Sequence, residues 1–145
     1  MNKNDKMLKE VIDLINRMKS TRPLVECLTN RVTINDCANM LLAMGASPIM
    51  AEIECEMEEI MNISSALVIN LGLLDGTYLS AMKTAAEAAK RLGKPIVLDP
   101  VGAGASKLRD ETCREMIELT KPDIIRGNMS EIRALTGGNI SSKGV

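Results

Sequence analysis

Ala66-Leu67-Val68-Ile69-Asn70-Leu71 is an apolar, β-branched run that Gly72 closes. It reads as a strand buried on both faces, because a strand covered on one face alone would alternate apolar with polar residues. Thr77 to Leu92 follows as a long Ala-rich helix ended by Gly93, and Pro95-Ile96-Val97-Leu98-Asp99 is a second buried strand. A strand, a helix of that length and another strand make a right-handed βαβ unit with parallel strands.

The alternation extends both ways from this unit. Upstream, Leu8, Val11, Ile12, Ile15 and Met18 recur at steps of three and four, one apolar helical face with Lys and Glu opposite. Pro23 stops that helix, and Leu24-Val25-Glu26-Cys27-Leu28 reads as a short strand. Thr33-Ile34-Asn35-Asp36 caps a helix that runs through Ala38, Met40, Leu41 and Leu42 to Gly45. Ser47-Pro48-Ile49-Met50-Ala51 is the next strand, and an acidic helix spans Glu54 to Met61. Downstream, a Gly-rich turn leads to a helix from Lys107 to Leu119, and Pro122-Asp123-Ile124-Ile125-Arg126 is another strand. Ser130 to Leu135 then starts a further helix.

These elements predict an α/β fold, three-layer α/β/α with a mainly parallel sheet, in one portion of a single domain over residues 1–145 with no internal boundary. Residues 137–145 read as a loop with no covering element after it. The expectation is a C-terminally truncated domain with one sheet edge or face left bare.

Composition narrows the function. With 46% hydrophobic and 26% charged residues over 145 positions, the chain can bury about two-thirds of its unfolded surface and is not a disordered segment. A formal net charge of −1 provides no basic field for nucleic acid or anionic lipid. Tyr78 is the single aromatic residue, so bases have no stacking platform, and eleven Met residues serve as large deformable core fillers. The absence of His excludes a His-based triad, and the four scattered cysteines contain no C-x-x-C pair. Met1 to Lys9 is polar without an apolar signal core, and no apolar run is long enough for a membrane span. A reduced, cytoplasmic setting is expected.

In a doubly wound sheet, ligands bind at the carboxyl ends of the strands. The residues that follow the predicted strands are Thr29 and Asn30, Met50 and Glu52, Asn70 and Gly72, Asp99, and Arg126 with Asn128. Polar and glycine residues thus recur at one end of successive strands, which points to one crevice. Asp99-Pro100-Val101-Gly102-Ala103-Gly104-Ala105-Ser106 ends a strand in a carboxylate of the kind that holds Mg²⁺ beside phosphates. Its glycines let backbone approach a ligand, and successive N–H groups there can form an anion nest. The competing reading is a tight turn in which Asp99 caps the next helix. In Arg126-Gly127-Asn128-Met129-Ser130-Glu131, the arginine can grip a phosphate with its planar fork. Asn128 and Glu131, three apart, share a side of the helix start, or equally form a capping box. Met50 can lie on a flat heteroaromatic ring, a contact favourable by roughly 0.3–1.5 kcal/mol, or simply fill the core. The five glutamates between Glu52 and Glu59 read as a solvated face.

Together the Cys27–Asn39 run, Gly45-Ala46-Ser47-Pro48-Ile49-Met50, Leu67–Gly72, Asp99–Ala105 and Ile125-Arg126-Gly127-Asn128 with Glu131 closely resemble the hydroxyethylthiazole kinase family, of ribokinase-like fold. The resemblance runs from about Val11 to Val145. It implies phosphorylation of the alcohol of 4-methyl-5-(2-hydroxyethyl)thiazole by ATP with Mg²⁺, in thiamine biosynthesis or salvage. Carried over residue by residue, it implies thiazole contacts at Met50, Asn30, Val32 and Gly72, and ATP contacts at Arg126 and Asn128. Asp99 and Glu131 become the acidic pair that organises Mg²⁺. It also implies a homotrimer with the pocket between neighbouring subunits, and no nucleic-acid or membrane partner. Glu26 departs from the family, standing where many relatives carry His. The family's glycine-rich anion hole, with the Cys or Asp that assists the hydroxyl, belongs to the C-terminal half, so no catalytic residue is expected within these 145 residues. Loss of even one such donor typically costs about 10²–10³ in rate, so this chain by itself should be weak or inactive. The alternatives are a kinase for another small alcohol, of pyridoxal or hydroxymethylpyrimidine type, or a non-catalytic binding or assembly subdomain of a split enzyme.

Overall fold

The expected βαβ unit is present in the computed structural model, which describes residues 2–137. Within those residues the helices are α1 (Lys3–Thr21), α2 (Ile34–Met44), α3 (Met57–Ile63), α4 (Gly76–Arg91), α5 (Lys107–Thr120) and α6 (Met129–Leu135). The strands are β1 (Leu24–Leu28), β2 (Ser47–Ile49), β3 (Ala66–Asn70), β4 (Ile96–Asp99) and β5 (Ile124–Ile125). They form one wholly parallel sheet in the order β2-β1-β3-β4-β5. β2 stops at Ile49 and β5 has two residues, so both outer strands are shorter than the sequence suggested. The predicted loop beyond Gly137 lies outside the described residues.

The chain runs outward from β1 to β2, then returns past β1 to β3 and continues through β4 to β5. Right-handed crossovers therefore put α2 on one face of the sheet and α3, α4 and α5 on the other. The reversal creates a switch point between β1 and β3, where carboxyl-end loops diverge and leave a crevice. β3 serves both faces: Leu67 and Ile69 are fully buried with Met57, Met61, Met82 and Ala85, whereas Ala66 and Val68 pack on the smaller cluster of Val25, Cys27 and Ala46. The layers are thus the three that the sequence predicted, but the second cluster is small. α1 contributes no buried residue, and Leu8, Val11 and Ile12 on its apolar face stay exposed.

Local chemistry sets the element ends. Asn2 and Asp5 form a capping box on α1. α2 ends at Gly45, whose φ of +94° is left-handed, and a Cβ there would lie 2.8 Å from the Lys19 Cα. Gly45 thus allows both the turn and the close approach of α1. Thr33 precedes α2 as expected but does not cap it through its side chain; its hydroxyl lies 3.3 Å from that of Thr29. Ser106, not Asp99, caps α5, accepting from the Arg109 N–H at 3.3 Å.

Candidate functional site

Parallel register puts the polar strand ends side by side. Asn70 is the partner of Asp99 across β3 and β4, and Leu98 pairs with Ile125, so Arg126 emerges beside Asp99. From this a continuous chain of side-chain hydrogen bonds crosses four strands. Asn30 Nδ2 donates to Asn70 Oδ1 at 3.2 Å, and Asn70 Nδ2 donates to Asp99 Oδ2 at 3.1 Å. Arg126 Nη1 donates to the same Asp99 oxygen at 2.7 Å. Asn70 Oδ1 also accepts the Gly72 N–H at 2.9 Å. Gly72 has no room for a side chain, since a Cβ would lie 2.8 Å from Asn70 Oδ1 and 3.1 Å from Asn30 Nδ2.

Asp99 is buried, and burial is the main influence raising its pKa above the usual Asp value. The Arg126 guanidinium opposes that rise, while the nearby Glu131 carboxylate adds to it. Glu131 is held from two directions: Oε1 accepts the Gly102 N–H at 3.0 Å and Oε2 the Asn128 N–H at 2.8 Å. Asn128 returns a bond by accepting the Glu131 N–H at 3.0 Å, so the capping box is real. Capping and site geometry are here the same arrangement, because the cap aims Glu131 back towards β4. Asp99, Val101, Arg126, Gly127, Asn128 and Glu131 line one open cavity of about 350 Å³.

One expectation fails in this turn. Its glycine N–H groups do not form a vacant anion nest: Gly102 donates to Glu131, and Gly104 donates to Asp110 Oδ1 at 2.6 Å. The anions that satisfy the turn belong to the chain itself, which leaves Arg126 as the cationic group facing the cavity. Arg126 suits that task, since its side chain is 77% exposed beyond its bond to Asp99.

The residues that the resemblance implies for the acceptor side are less closely gathered. Asn30 and Gly72 are in contact, and Asn30 Oδ1 accepts the Val32 N–H at 3.0 Å. Val32 itself is 89% exposed. Met50, just beyond β2, packs on the Val25, Cys27 and Ala46 cluster and makes no part of the bonded chain. A crevice of about 150 Å³ is lined by Arg31, Glu52, Leu73, Asp75, Thr77 and Tyr78. The Tyr78 hydroxyl donates to the Thr29 carbonyl at 2.7 Å and fixes the floor of that turn.

The donor chemistry fits Mg²⁺ in a limited way. Asp99 and Glu131 are two hard oxygen donors with like charge between them, and a cation would relieve that repulsion. Among the described residues no group of three or more acidic or Cys/His side chains is placed to hold a metal. Any ion would therefore complete its shell with water and ligand oxygens, the usual habit of Mg²⁺. Neither buried cysteine suits a nucleophile's role: burial raises the Cys27 thiol to about 12 and the Cys113 thiol to about 11.

Three residues in this region have structural roles that the sequence reading did not assign. Asn70 was visible as a strand-end amide, but its role in bridging strands follows from register. Arg109 donates from Nη1 to the Leu71 and Val101 carbonyls at 3.1 and 3.0 Å, and from Nη2 to the Gly72 carbonyl at 3.2 Å. Its signal was a cation in the first turn of a helix, where the macrodipole disfavours positive charge. Glu26 was noticed only as a departure. It is fully buried on the α3 side, and among the described residues neither carboxylate oxygen meets a partner in hydrogen-bonding geometry; burial raises its pKa to about 8, against the opposing pull of the nearby Ala51 backbone.

Comparison with known proteins identifies the family and the fold. Residues 15–145 match the model of the "Hydroxyethylthiazole kinase family". The chain is similar to a hydroxyethylthiazole kinase of Ruminiclostridium cellulolyticum, at 47% identity over 94% of this chain and 50% of the relative. A hydroxyethylthiazole kinase of Aliivibrio salmonicida is 51% identical over 94% of this chain and 52% of its own length. Among solved structures, the hydroxyethylthiazole kinase protein of Pyrococcus horikoshii OT3 superposes with a TM-score of 0.85 at 48% identity, covering 89% of this chain and 50% of that one. The chain spans about half the length of the curated relatives it matches.

Proposed function

The chain belongs to the hydroxyethylthiazole kinase family, and on that premise we propose that it forms the metal–phosphate side and part of the acceptor side of a kinase that phosphorylates a small thiazole alcohol with ATP. The observation that carries this reading is the convergence of Asp99, Arg126 and Glu131 on one cavity at the strand ends. In phosphoryl transfer the protein's work is mostly positioning and charge neutralisation, and a guanidinium beside two carboxylates supplies both signs of charge for it.

Each residue then has a defined task. Arg126 leaves or shares its bond to Asp99 and takes phosphate oxygens with its fork. Asp99 and Glu131 would hold Mg²⁺, directly or through water, and Asn128 keeps Glu131 aimed through the capping box. Mg²⁺ when bound offsets the charge of the phosphates. Asn30 and Gly72 receive the acceptor, with Val32 and Met50 at its apolar side. The exposure of Val32 suits a pocket completed from outside the chain, as in a homotrimer whose neighbouring subunit closes the thiazole site. Activation of the hydroxyl and the anion hole for the transferred group are assigned to the part of the relatives that this chain does not match. Such chemistry belongs to a reduced, cytoplasmic setting; among the described residues no helix is long and apolar enough to cross a membrane.

Thermal-shift titration of the chain tests the substrate. Mg-ATP and the hydroxyethylthiazole alcohol should each raise the melting temperature, and Asp99→Asn should abolish the Mg-ATP shift alone. A shift with pyridoxal or hydroxymethylpyrimidine, and none with the thiazole, would move the assignment to another alcohol.

A further inference from the structure

Arg109 is a half-buried cation that forms no ion pair among the described residues. All the observed bonds of its side chain go to backbone carbonyls, and those carbonyls belong to two different turns: Leu71 and Gly72 after β3, and Val101 after β4. The side chain also lies over Gly102, where φ is +78° and a Cβ would sit 2.8 Å from Arg109 Cδ and 3.0 Å from Nη1. Gly102 in turn donates to Glu131. One guanidinium thus touches the turn beside Asn30 and the turn that bears Asp99, and reaches Glu131 through one intervening residue.

We infer that Arg109 is a positioning residue that holds the acceptor turn at Leu71–Gly72 at a fixed spacing from the phosphate turn at Val101–Gly102. This deepens the phosphotransfer reading and rests on it. In-line transfer depends on the separation of acceptor and phosphate, and a misplacement of about 1 Å can cost about 10²-fold. The planar fork presents several donors in fixed directions, so three carbonyls on two turns are satisfied by one rigid group. A lysine ammonium, as a single point on a flexible stem, serves one turn at a time.

Two measurements test this, on the wild-type chain, Arg109→Lys and Arg109→Met. The first is amide hydrogen exchange without ligand. The Gly72 and Gly102 amides donate to the Asn70 and Glu131 side chains, so their exchange reports each turn separately. Arg109→Met should speed both together by about tenfold or more, Arg109→Lys by less, and the amides within β3 and β4 should keep their protection. Acceleration at one turn without the other, or confined to α5, overturns the clamp without any ligand being involved. The second is calorimetric binding of Mg-ATP and of the hydroxyethylthiazole alcohol, each alone and then in the presence of the other. Arg109→Met should leave each separate affinity within about threefold of wild type and remove the effect of one ligand on the other. Loss of either separate affinity by more than about tenfold overturns the positioning role in favour of direct binding or general structure. A wild type that binds both ligands without mutual effect also overturns it, whereas a wild type that binds neither overturns the phosphotransfer reading beneath it.

Discussion

The two faces of the sheet are built from equally apolar sequence and end in different states. On the α3–α6 side, Leu67, Ile69, Leu71, Met82 and Leu98 are all fully buried around an Ala-rich α4. On the α1–α2 side, the buried cluster among the described residues is Val25, Cys27 and Ala46, while Leu8, Val11 and Ile12 of α1 remain in contact with solvent. At the β5 edge Ile124 and Ile125 are 56% and 38% exposed. One face is a finished core and the other a half-covered surface. The candidate site lies on the rim between them, so its rigidity derives chiefly from the finished side, through β3, β4 and the helices anchored on them.

The largest effect should come from truncating the finished face. Ile69→Ala is expected to cost about 2–5 kcal/mol, because a fully buried side chain leaves a cavity that its neighbours cannot fill. Leu8→Ala on α1 should stay within about 0.5 kcal/mol. Urea denaturation of both variants would break the comparison if the two costs were equal.

Glu26 gives the next largest effect and marks the weak point of the finished side. Its folded pKa of about 8 lies above the ordinary 4.5, so the folded chain holds an extra proton between those values. This group's contribution to stability is therefore fully present below about pH 4.5 and is lost as pH rises through about 8. Raising pH from 5 to 9 should remove on the order of a few kcal/mol, and Glu26→Gln should flatten that decline in a series of melting curves. A wild-type curve as flat as the variant's would show that the carboxyl finds a partner.

A smaller effect sharpens the other face. Gly45→Ala forces an L-residue into a left-handed turn against the Lys19 backbone and should cost roughly 1–3 kcal/mol. Its amide-exchange signature should be confined to α1 and α2, with β3 and α4 still protected.

How much of this was legible in the sequence depends on the kind of information each residue carries. The buried run at Ala66–Leu71, the stops at Gly45 and Gly93, and the polar residues at strand ends are local signals, and they gave the layers and the rim. The face of α1 was equally periodic, yet periodicity says that a face is apolar and not what covers it. The Asn30–Asn70–Asp99–Arg126 chain needs strand order and register, which no single segment encodes. Glu26 is a polar residue inside a short strand, and only the packing of α3 on β1 reveals its burial. Arg109 could be suspected from its conflict with the helix dipole, but its two turns meet only in three dimensions.

Spin-resonance titration of Mn²⁺, standing in for Mg²⁺, with and without ATP, bears most directly on whether Asp99, Glu131 and Arg126 share one metal–phosphate locus. Nucleotide-dependent Mn²⁺ binding should weaken by about tenfold or more in both Asp99→Asn and Glu131→Gln, and Arg126→Gln should weaken the nucleotide's share of it. Wild-type binding in all three variants, or no nucleotide-dependent binding in the wild type, would contradict the assignment.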